Sequence, residues 1–496
     1  MNHTLPDKVL QQLSGFIASN LALNFPKERW SDLERDITLA AKDFRYSDTE
    51  KFIKHITSTP LSRVHSETLA SYLTINETYF WREPKSFDAL EKKILPDLIR
   101  LRQKEEKRIR IWSAGCSTGE EPYSIAIALR RIIPEIDTWN ITILATDINS
   151  KMLLKANIGE YGQWSFRNAP EWLKEKYFIR KEKGKFEIVP EVKKMLSFEY
   201  LNLAEDVFPS PLNNTNAMDL IFCRNVLMYF TPERMNQTSM GLFNSLVKGG
   251  YLFVSASELS CFNIPEFSPV TFSGAIIYRR TWRDSSKVSD ISWEKMNLQE
   301  GFIEAKQEPF VEIAQKEPQS KAAIMDLIQP AVDMLPLSKF EEALNLYSLG
   351  CYSEVIDKLE KDAVTTLELM LLIRAYANQG KLSEAIVLCE KAIVVDKLDP
   401  KIRYLYAIIL QEHNQMNEAV ALLKHTIYLD QNFVLSYYSL GNIFLRQGNL
   451  NGAKKCYSNV LMILNKCKQD EILPESEGLT AGRFREIINV TIRTRL

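Results

Sequence analysis

The last part of the chain repeats itself at a fixed interval, and this feature constrains the fold more than any other. Three columns of positions recur every 34 residues: Gly380, Asn414 and Gly448; Ala385, Ala419 and Ala453; Tyr376, Leu410 and Phe444. A unit this short cannot cover its own apolar surface, so neighbouring units must stack. The interval therefore predicts paired helices arranged in an α-solenoid.

A period of 34 residues with small side chains where two helices cross is typical of the tetratricopeptide repeat. A degenerate extra repeat precedes the three columns, around Leu344 to Leu359, with Gly350 at its turn. The alternative is a generic helical bundle, which does not require three columns at one period. We predict tetratricopeptide repeats over residues 336–468 and a tail over 469–496. Within that tail, the piece from Gly478 to Arg483 has no role that the sequence explains.

The bulk properties exclude several classes of protein. A chain of 496 residues is too long for a single hydrophobic core, so several domains are expected. The formal net charge of -1 gives no support to a nucleic-acid partner. The seven cysteines stand singly, which indicates neither a metal site nor a disulfide framework. Without a secretory pattern or a long apolar run, we expect a cytoplasmic protein with no direct membrane insertion.

The segments before the repeats differ in pattern. Residues 1–75 are polar with apolar positions at helical spacing, which predicts an all-α amino-terminal domain. Residues 76–283 alternate short apolar strands with amphipathic helices, which predicts an α/β, Rossmann-like domain with a mostly parallel sheet. Within it, residues 177–203, including Leu196 to Tyr200, suggest a small antiparallel β-subdomain. Residues 284–335 are rich in Lys, Glu, Gln and Ser, and we expect a flexible linker.

The stretch from Ser113 to Glu121 ends a predicted strand, forms a glycine turn and begins a predicted helix. Gly115 allows the backbone to approach a ligand closely. Its spacing to Gly119 does not match GxGxxG, and no P-loop pattern is present, so a phosphate cradle is not indicated. S-adenosylmethionine needs no such cradle, and an acidic side chain such as Glu121 suits its ammonium group. The alternative is a purely structural turn.

Polar residues follow the neighbouring strands. Asp147 ends the second strand, where doubly wound folds hold a ribose diol. Alternatively it caps the next helix, a role that Asn149 or Ser150 could also fill. The pairs Asn202-Leu203 and Asn225-Val226 occupy further strand ends on the same rim. Their amides could read the adenine or the amino acid part of the cofactor, or they could be turn residues.

Together these stretches resemble the chemotaxis receptor methyltransferases, the CheR family. The similar segments are Thr74 to Glu83, Trp112 to Ser124, Ala145 to Ile148, Ile221 to Phe230, Gly249 to Phe253, and Ser257-Glu258. The resemblance covers residues 1 to about 280. It implies a protein-glutamate O-methyltransferase that uses S-adenosylmethionine to form glutamyl methyl esters on the cytoplasmic domain of a chemoreceptor.

The resemblance also implies roles for particular residues. Cofactor contacts would fall on Asn76, Thr78, Arg82, Gly115, Glu121, Asp147, Asn202, Leu203, Asn225 and Val226. Arg82 and Tyr229 would flank the position of methyl transfer. Alternatively, Arg82 forms a surface ion pair and Tyr229 packs in the core. The turn from Lys181 to Lys185 departs from family members that grip a receptor's carboxyl-terminal peptide, so that form of tethering is not expected.

Methyl transfer to a glutamate needs no general base, because a carboxylate is already ionised at neutral pH. The planar fork of Arg82 could align it. A nucleic-acid methyltransferase is disfavoured because Cys223 to Leu227 lacks a proline pair. A second alternative is a repeat scaffold with a vestigial methyltransferase domain. We expect the repeats to dock a further signalling partner, with the protein associated with membrane receptor arrays.

Overall fold

The computed structural model describes residues 5–58, 63–74, 77–103, 107–261, 267–272, 275–281, 338–476 and 478–496. Asn76 and the predicted linker, residues 284–335, lie outside these ranges. In the described ranges the chain forms a helical amino-terminal region, a mixed sheet with helices, and a helical repeat array. No helix in these ranges is long and apolar enough to cross a bilayer.

Four helices make the amino-terminal region: α1 (Asp7–Leu21), α2 (Trp30–Asp43), α3 (Thr49–Ser58) and α4 (Arg63–Leu73). Fully buried residues such as Leu10, Leu13 and Ile17 follow one stripe of α1, at intervals of three or four. Such a stripe buries one face of a helix and leaves the other in water. These helices share one apolar core, which Tyr229 and Phe230 of the next domain also contact.

The central domain contains ten strands and seven helices: α5 (Pro84–Ala89), α6 (Leu95–Arg102), β1 (Arg108–Ala114), α7 (Glu120–Ile132), β2 (Asn140–Asp147), α8 (Ser150–Ile158), β3 (Glu160–Tyr161), α9 (Glu171–Tyr177), β4 (Phe178–Arg180), β5 (Phe186–Ile188), α10 (Pro190–Lys193), β6 (Leu196–Tyr200), β7 (Met218–Phe222), α11 (Pro232–Ser245), β8 (Leu246–Phe253), β9 (Phe267–Phe272) and β10 (Ala275–Arg280). The main sheet has the order β6-β2-β1-β7-β8-β10-β9. Strands β6, β2, β1, β7 and β8 are parallel, and β10 and β9 are antiparallel. This is the predicted Rossmann-like sheet.

One detail of the predicted sheet is wrong. Leu196 to Tyr200 is not part of the antiparallel insertion; it pairs in parallel with β2 at the edge of the main sheet. Apolar and polar residues alternate along this segment, which is the pattern typical of an antiparallel strand with one face in water. The small antiparallel sheet is instead β3-β5-β4. In the main sheet, Gly249-Gly250 forms an irregularity inside β8, with φ of 81° at Gly249.

The repeat array consists of the helix pairs α12 (Lys339–Ser348) and α13 (Tyr352–Leu359), α14 (Thr366–Asn378) and α15 (Leu382–Val395), α16 (Pro400–Glu412) and α17 (Met416–Leu429), and α18 (Val434–Arg446) and α19 (Leu450–Leu464), followed by α20 (Ala481–Arg495). Residues 344–359 fall in the first pair. Gly380, Asn414 and Gly448 have φ of 76°, 65° and 74° in the turn within their pairs. Only glycine and asparagine adopt this left-handed conformation readily, which explains that column of the period.

The turns within the helix pairs of the repeat array contact the central domain at the amino ends of β1 and β2. The Glu412 carboxylate accepts hydrogen bonds from Asn216 (2.9 Å) and Arg108 (3.4 Å), and its main-chain carbonyl accepts one from Asn140 (3.0 Å). Arg280 donates to the Gly350 carbonyl at 3.1 Å. A Cβ atom on Gly350 would lie 2.0 Å from Asn244 Oδ1, so the two domains meet too closely there for a side chain.

Candidate functional site

A cavity of about 270 Å³ lies at the carboxyl ends of β1, β2, β6 and β7, beneath the amino-terminal helices. Parallel strands bring their carboxyl ends to one edge, where α/β folds bind ligands. The predicted site residues that the structure describes all line it: Thr78, Arg82, Gly115, Glu121, Asp147, Asn202, Leu203, Asn225, Val226 and Tyr229. Their individual roles remain predictions, and Asn76 lies outside the described residues.

Gly115 lies where the first loop passes the loop after β7. Its φ is 82°, and a Cβ atom there would lie 2.4 Å from Cγ2 of Val226. Any side chain would therefore displace Val226 and narrow the cavity. The amide of Gly115 donates to the Thr146 carbonyl at 2.8 Å, which fixes the loop against the end of β2.

Glu121 is held by two side chains that the sequence did not assign. Ser113 Oγ donates to one carboxylate oxygen and Arg224 Nε to the other, both at 2.7 Å. The Arg224 side chain is 2% exposed, and its Nη1 also donates to the Arg82 carbonyl at 2.8 Å. Arg224 therefore joins the first loop to the segment that carries Arg82. Its signal in the sequence is an arginine two residues after the apolar run that forms β7.

Asp147 connects two loops and does not cap the next helix. One carboxylate oxygen accepts from the Ser117 amide and the other from the Asn149 amide, each at 2.8 Å. The cap of α8 is the side chain of Asn149. Burial raises the pKa of Asp147 above its ordinary value, although these amide hydrogen bonds oppose the rise. A buried acceptor of this kind, facing a cavity, fits a ribose hydroxyl.

Glu258 organises the loop after β7, and the sequence analysis missed this role. Its fully buried carboxylate accepts hydrogen bonds from the amides of Asn225, Val226 and Leu227, each at 2.8 Å. Asn225 has φ of 59°, so the loop turns sharply there. Its side-chain oxygen is buried without a hydrogen-bond partner in the described protein. That oxygen fits an amino group of a ligand.

The pair Asn202-Leu203 forms a turn at the cavity rim. The Asn202 side-chain oxygen accepts from the Ala204 amide at 3.0 Å, which is the turn alternative. The Asn202 amide donates to Asp206 at 2.6 Å, and the other oxygen of Asp206 accepts from Arg483 of α20 at 2.7 Å. The last helix of the chain thus supports this rim of the cavity.

Positive charge reaches the cavity from Arg82, which lines it, and from Arg29, which lies over the ring of Tyr229. Arg82 is partly buried; its Nη1 donates to the Glu77 carbonyl at 2.6 Å. Trp81 and Glu83 on either side of it have left-handed φ of 63° and 60°, so the segment bends around Arg82. Burial raises the pKa of Tyr229, and the charges of Arg29 and Arg82 oppose that rise. The Arg82 side chain lines the cavity.

Comparisons with known proteins agree with this geometry. The family described as CheR methyltransferase, SAM binding domain, matches residues 76–270, and a tetratricopeptide repeat family matches residues 434–463. A chemotaxis protein methyltransferase of Borreliella burgdorferi is 33% identical over 260 residues, covering 52% of this chain and 90% of the relative. Chemotaxis protein methyltransferase 1 of Pseudomonas aeruginosa is 35% identical over 223 residues, covering 43% and 77%. The cofactor is S-adenosylmethionine, and the chain belongs to the CheR family of chemotaxis methyltransferases.

Proposed function

We propose that this chain methylates glutamate side chains in the cytoplasmic domain of a chemoreceptor, and that its repeats dock a protein partner. The observation that carries the proposal is that one cavity is lined by the carboxylates of Glu121 and Asp147 and by the guanidinium of Arg82. We call the two carboxylates the acidic wall, and Arg82 with Arg29, which lies over the ring of Tyr229, the cationic wall. The first suits a cofactor with an ammonium group and a ribose, and the second suits an anionic acceptor.

The acidic wall would hold the cofactor. Glu121 would accept from its ammonium group, Asp147 from its ribose hydroxyls, and the Asn225 side-chain oxygen from an amino group. Bound there, S-adenosylmethionine supplies a methyl group on a positively charged sulfur. Thr78, Gly115, Asn202, Leu203 and Val226 would complete the surface, as they line the same cavity.

The cationic wall would hold the acceptor. A glutamate has an ordinary pKa near 4.3, so at neutral pH one carboxylate oxygen can form the new bond to carbon without losing a proton first. The chain therefore needs no general base. It needs to orient the carboxylate and exclude water, which the guanidinium fork of Arg82 and the ring of Tyr229 would do.

The two alternatives explain less. A nucleic-acid methyltransferase holds a base amine with a proline pair after the corresponding strand, and Asn225-Val226-Leu227 contains none. A vestigial domain has no reason to keep a buried Arg224 holding Glu121 at the edge of a cavity.

Incubation with tritiated S-adenosylmethionine and chemoreceptor-containing membranes tests the proposal. We expect label that alkali releases as methanol and that maps to glutamates. Arg82→Ala should fold normally but lose about 100-fold in transfer rate, because the acceptor is no longer aligned. Arg100→Ala, which removes an exposed ion pair with Asp97 on α6 and does not line the cavity, is the matched control. Alkali-stable label would contradict the ester, and no cofactor binding at millimolar S-adenosylmethionine would favour the scaffold.

A further inference from the structure

The inner face of the repeat array already holds a peptide-like segment, which is the chain's own. Arg374, Ile408 and Asn442 are 34 residues apart and therefore occupy equivalent positions on α14, α16 and α18. The loop between α19 and α20 returns to this face. There the Glu475 carboxylate forms ion pairs with Arg374 of α14 and, at 3.9 Å, with Lys401 of α16.

The loop presents Glu475 in a defined conformation. Ile472 and Thr480 form a β-bridge, and the Leu473 amide donates to the Leu479 carbonyl at 2.9 Å. Leu473 is 4% exposed and belongs to the apolar core of the repeats. Glu475 has φ of 61° and a side chain 13% exposed. The array thus recognises a buried leucine followed, two positions later, by a carboxylate.

These contacts are suited to exchange. The backbone hydrogen bonds described for the loop lie within it or join it to the first residues of α20, as between Ala481 and Glu471 (2.7 Å). None of those described joins it to α14 or α16, so its release from these helices would cost side-chain contacts alone. Lys401 is 48% exposed, and an ion pair with such a partner is weakened by water. Two cations from different repeats converge on one carboxylate, a geometry that selects for negative charge at that point of the groove.

We propose that the groove binds an acidic peptide segment of a partner protein, with a leucine two residues before a glutamate, in place of the Glu475 loop. This inference rests on the docking role proposed for the repeats. The loop acts as a tethered competitor, since its effective concentration at the groove is of order millimolar. A partner binds when its segment outcompetes the loop or when the loop is released.

The test uses the full chain and a fluorescein-labelled peptide of residues 471–480, followed by anisotropy. The wild-type chain should bind the peptide weakly, because its own loop occupies the groove. Glu475→Gln should release the loop and tighten peptide binding at least tenfold. Adding Arg374→Ala to that variant should abolish the gain. Glu471→Gln, which changes an exposed acid of the same loop, should behave as wild type.

Equal peptide affinity in all four chains, or no binding by a folded Glu475→Gln chain, would overturn the inference. A peptide with glutamine at the position of Glu475 should not bind any of them. Receptor methylation, measured on the same preparations, separates the two proposals. If methyl transfer persists while peptide binding fails, only the proposal for the groove is refuted. If the wild-type chain shows no methyl transfer, the proposed enzyme function is refuted.

Discussion

The two ends of strand β1 use the same pair of side-chain types for different purposes. At the amino end, the Glu412 carboxylate is 5% exposed and meets Arg108, Asn216 and, at 4.0 Å, Arg110. The cavity beside Glu412 is small, about 120 Å³, and lies between the central domain and the repeats. At the carboxyl end, Glu121 meets Arg224 and Ser113 and borders the larger cavity of about 270 Å³. A carboxylate whose partners come from two domains joins them, whereas one that borders a cavity large enough for a cofactor can bind a ligand. The surroundings decide the role, not the ion pair.

The largest effect is expected at the amino end. Glu412→Ala leaves Arg108 and Arg110 buried without their carboxylate, and breaking such a pair costs about 3–5 kcal/mol. Burial already lowers the pKa of Arg110 to about 10, and the charge of Glu412 opposes that fall. Urea unfolding should show the loss, with Glu418→Ala, an exposed acid on the next helix, as control. A change below 1 kcal/mol would mean that this end is not a structural joint.

The next effect is at the carboxyl end and concerns the cofactor. Glu121→Gln should keep the fold, because its amide oxygen can accept from Arg224 and its amide nitrogen can donate to Ser113 Oγ, while Glu83 still neutralises Arg224 at 3.5 Å. The substitution removes the charge that faces the ammonium group. Charged hydrogen bonds contribute about 1.5–3 kcal/mol, so the Kd for S-adenosylmethionine should rise about 10- to 100-fold by calorimetry. Glu83→Gln is the control, because Glu83 also pairs with Arg224 (3.5 Å) but does not line the cavity. Equal Kd values for the two variants would refute the ligand role of Glu121.

A pH dependence should follow from Asp147. Because burial raises its pKa, protonation begins at a higher pH than in an ordinary aspartate, and cofactor affinity should fall as pH drops through that raised pKa. The sign for stability is opposite: ionising a group with a raised pKa destabilises the folded state as pH rises. Asp147→Asn should therefore weaken binding at neutral pH and remove the acid dependence that this residue gives to both binding and stability. The exposed Asp137→Asn should leave both curves unchanged.

The smallest effect tests whether the ends communicate. Arg483→Ala removes the partner of Asp206, which holds the Asn202 amide at the cavity rim. We expect about fivefold weaker cofactor binding, or about 1 kcal/mol, a usual size for a contact one step removed from the ligand. Arg485→Ala, on the same helix but bonded to the Leu464 carbonyl, should have no effect. Unchanged affinity in Arg483→Ala would confine α20 to a structural role.

Local chemistry explains what the sequence could predict. The column Gly380, Asn414, Gly448 recurs because each turn needs a left-handed residue, so the period follows from the backbone. The loop with Gly115 and the acid Asp147 stand at strand ends, and the parallel sheet then brings them together. To predict that these two lie close together, only the order of the strands was needed, and the alternation of strands and helices indicates that order.

The remaining features depend on partners far apart in the chain. Arg224 meets Glu121 across 103 residues, and Arg108 meets Glu412 across 304. No spacing rule covers such pairs. A buried carboxylate such as Glu258, satisfied by main-chain amides and by the Ser255 hydroxyl, has no charged partner among the described residues to reveal it. The edge strand of Leu196 to Tyr200 was assigned to the wrong sheet because its half-buried pattern does not specify a neighbour.

The contacts between the turns of the repeat array and the central domain limit how the two can move. The carbonyls of Gly350 and Gly380 accept hydrogen bonds from Arg280 and Arg108, and the Glu412 carboxylate accepts another from Arg108. The repeat array is therefore attached to the central domain at three points along one edge. Three such points prevent the array from rotating relative to that domain. A partner bound to the inner face of the array would stay at a constant distance from the cavity. The flexibility needed to bring a glutamate into the cavity would have to come from the substrate chain.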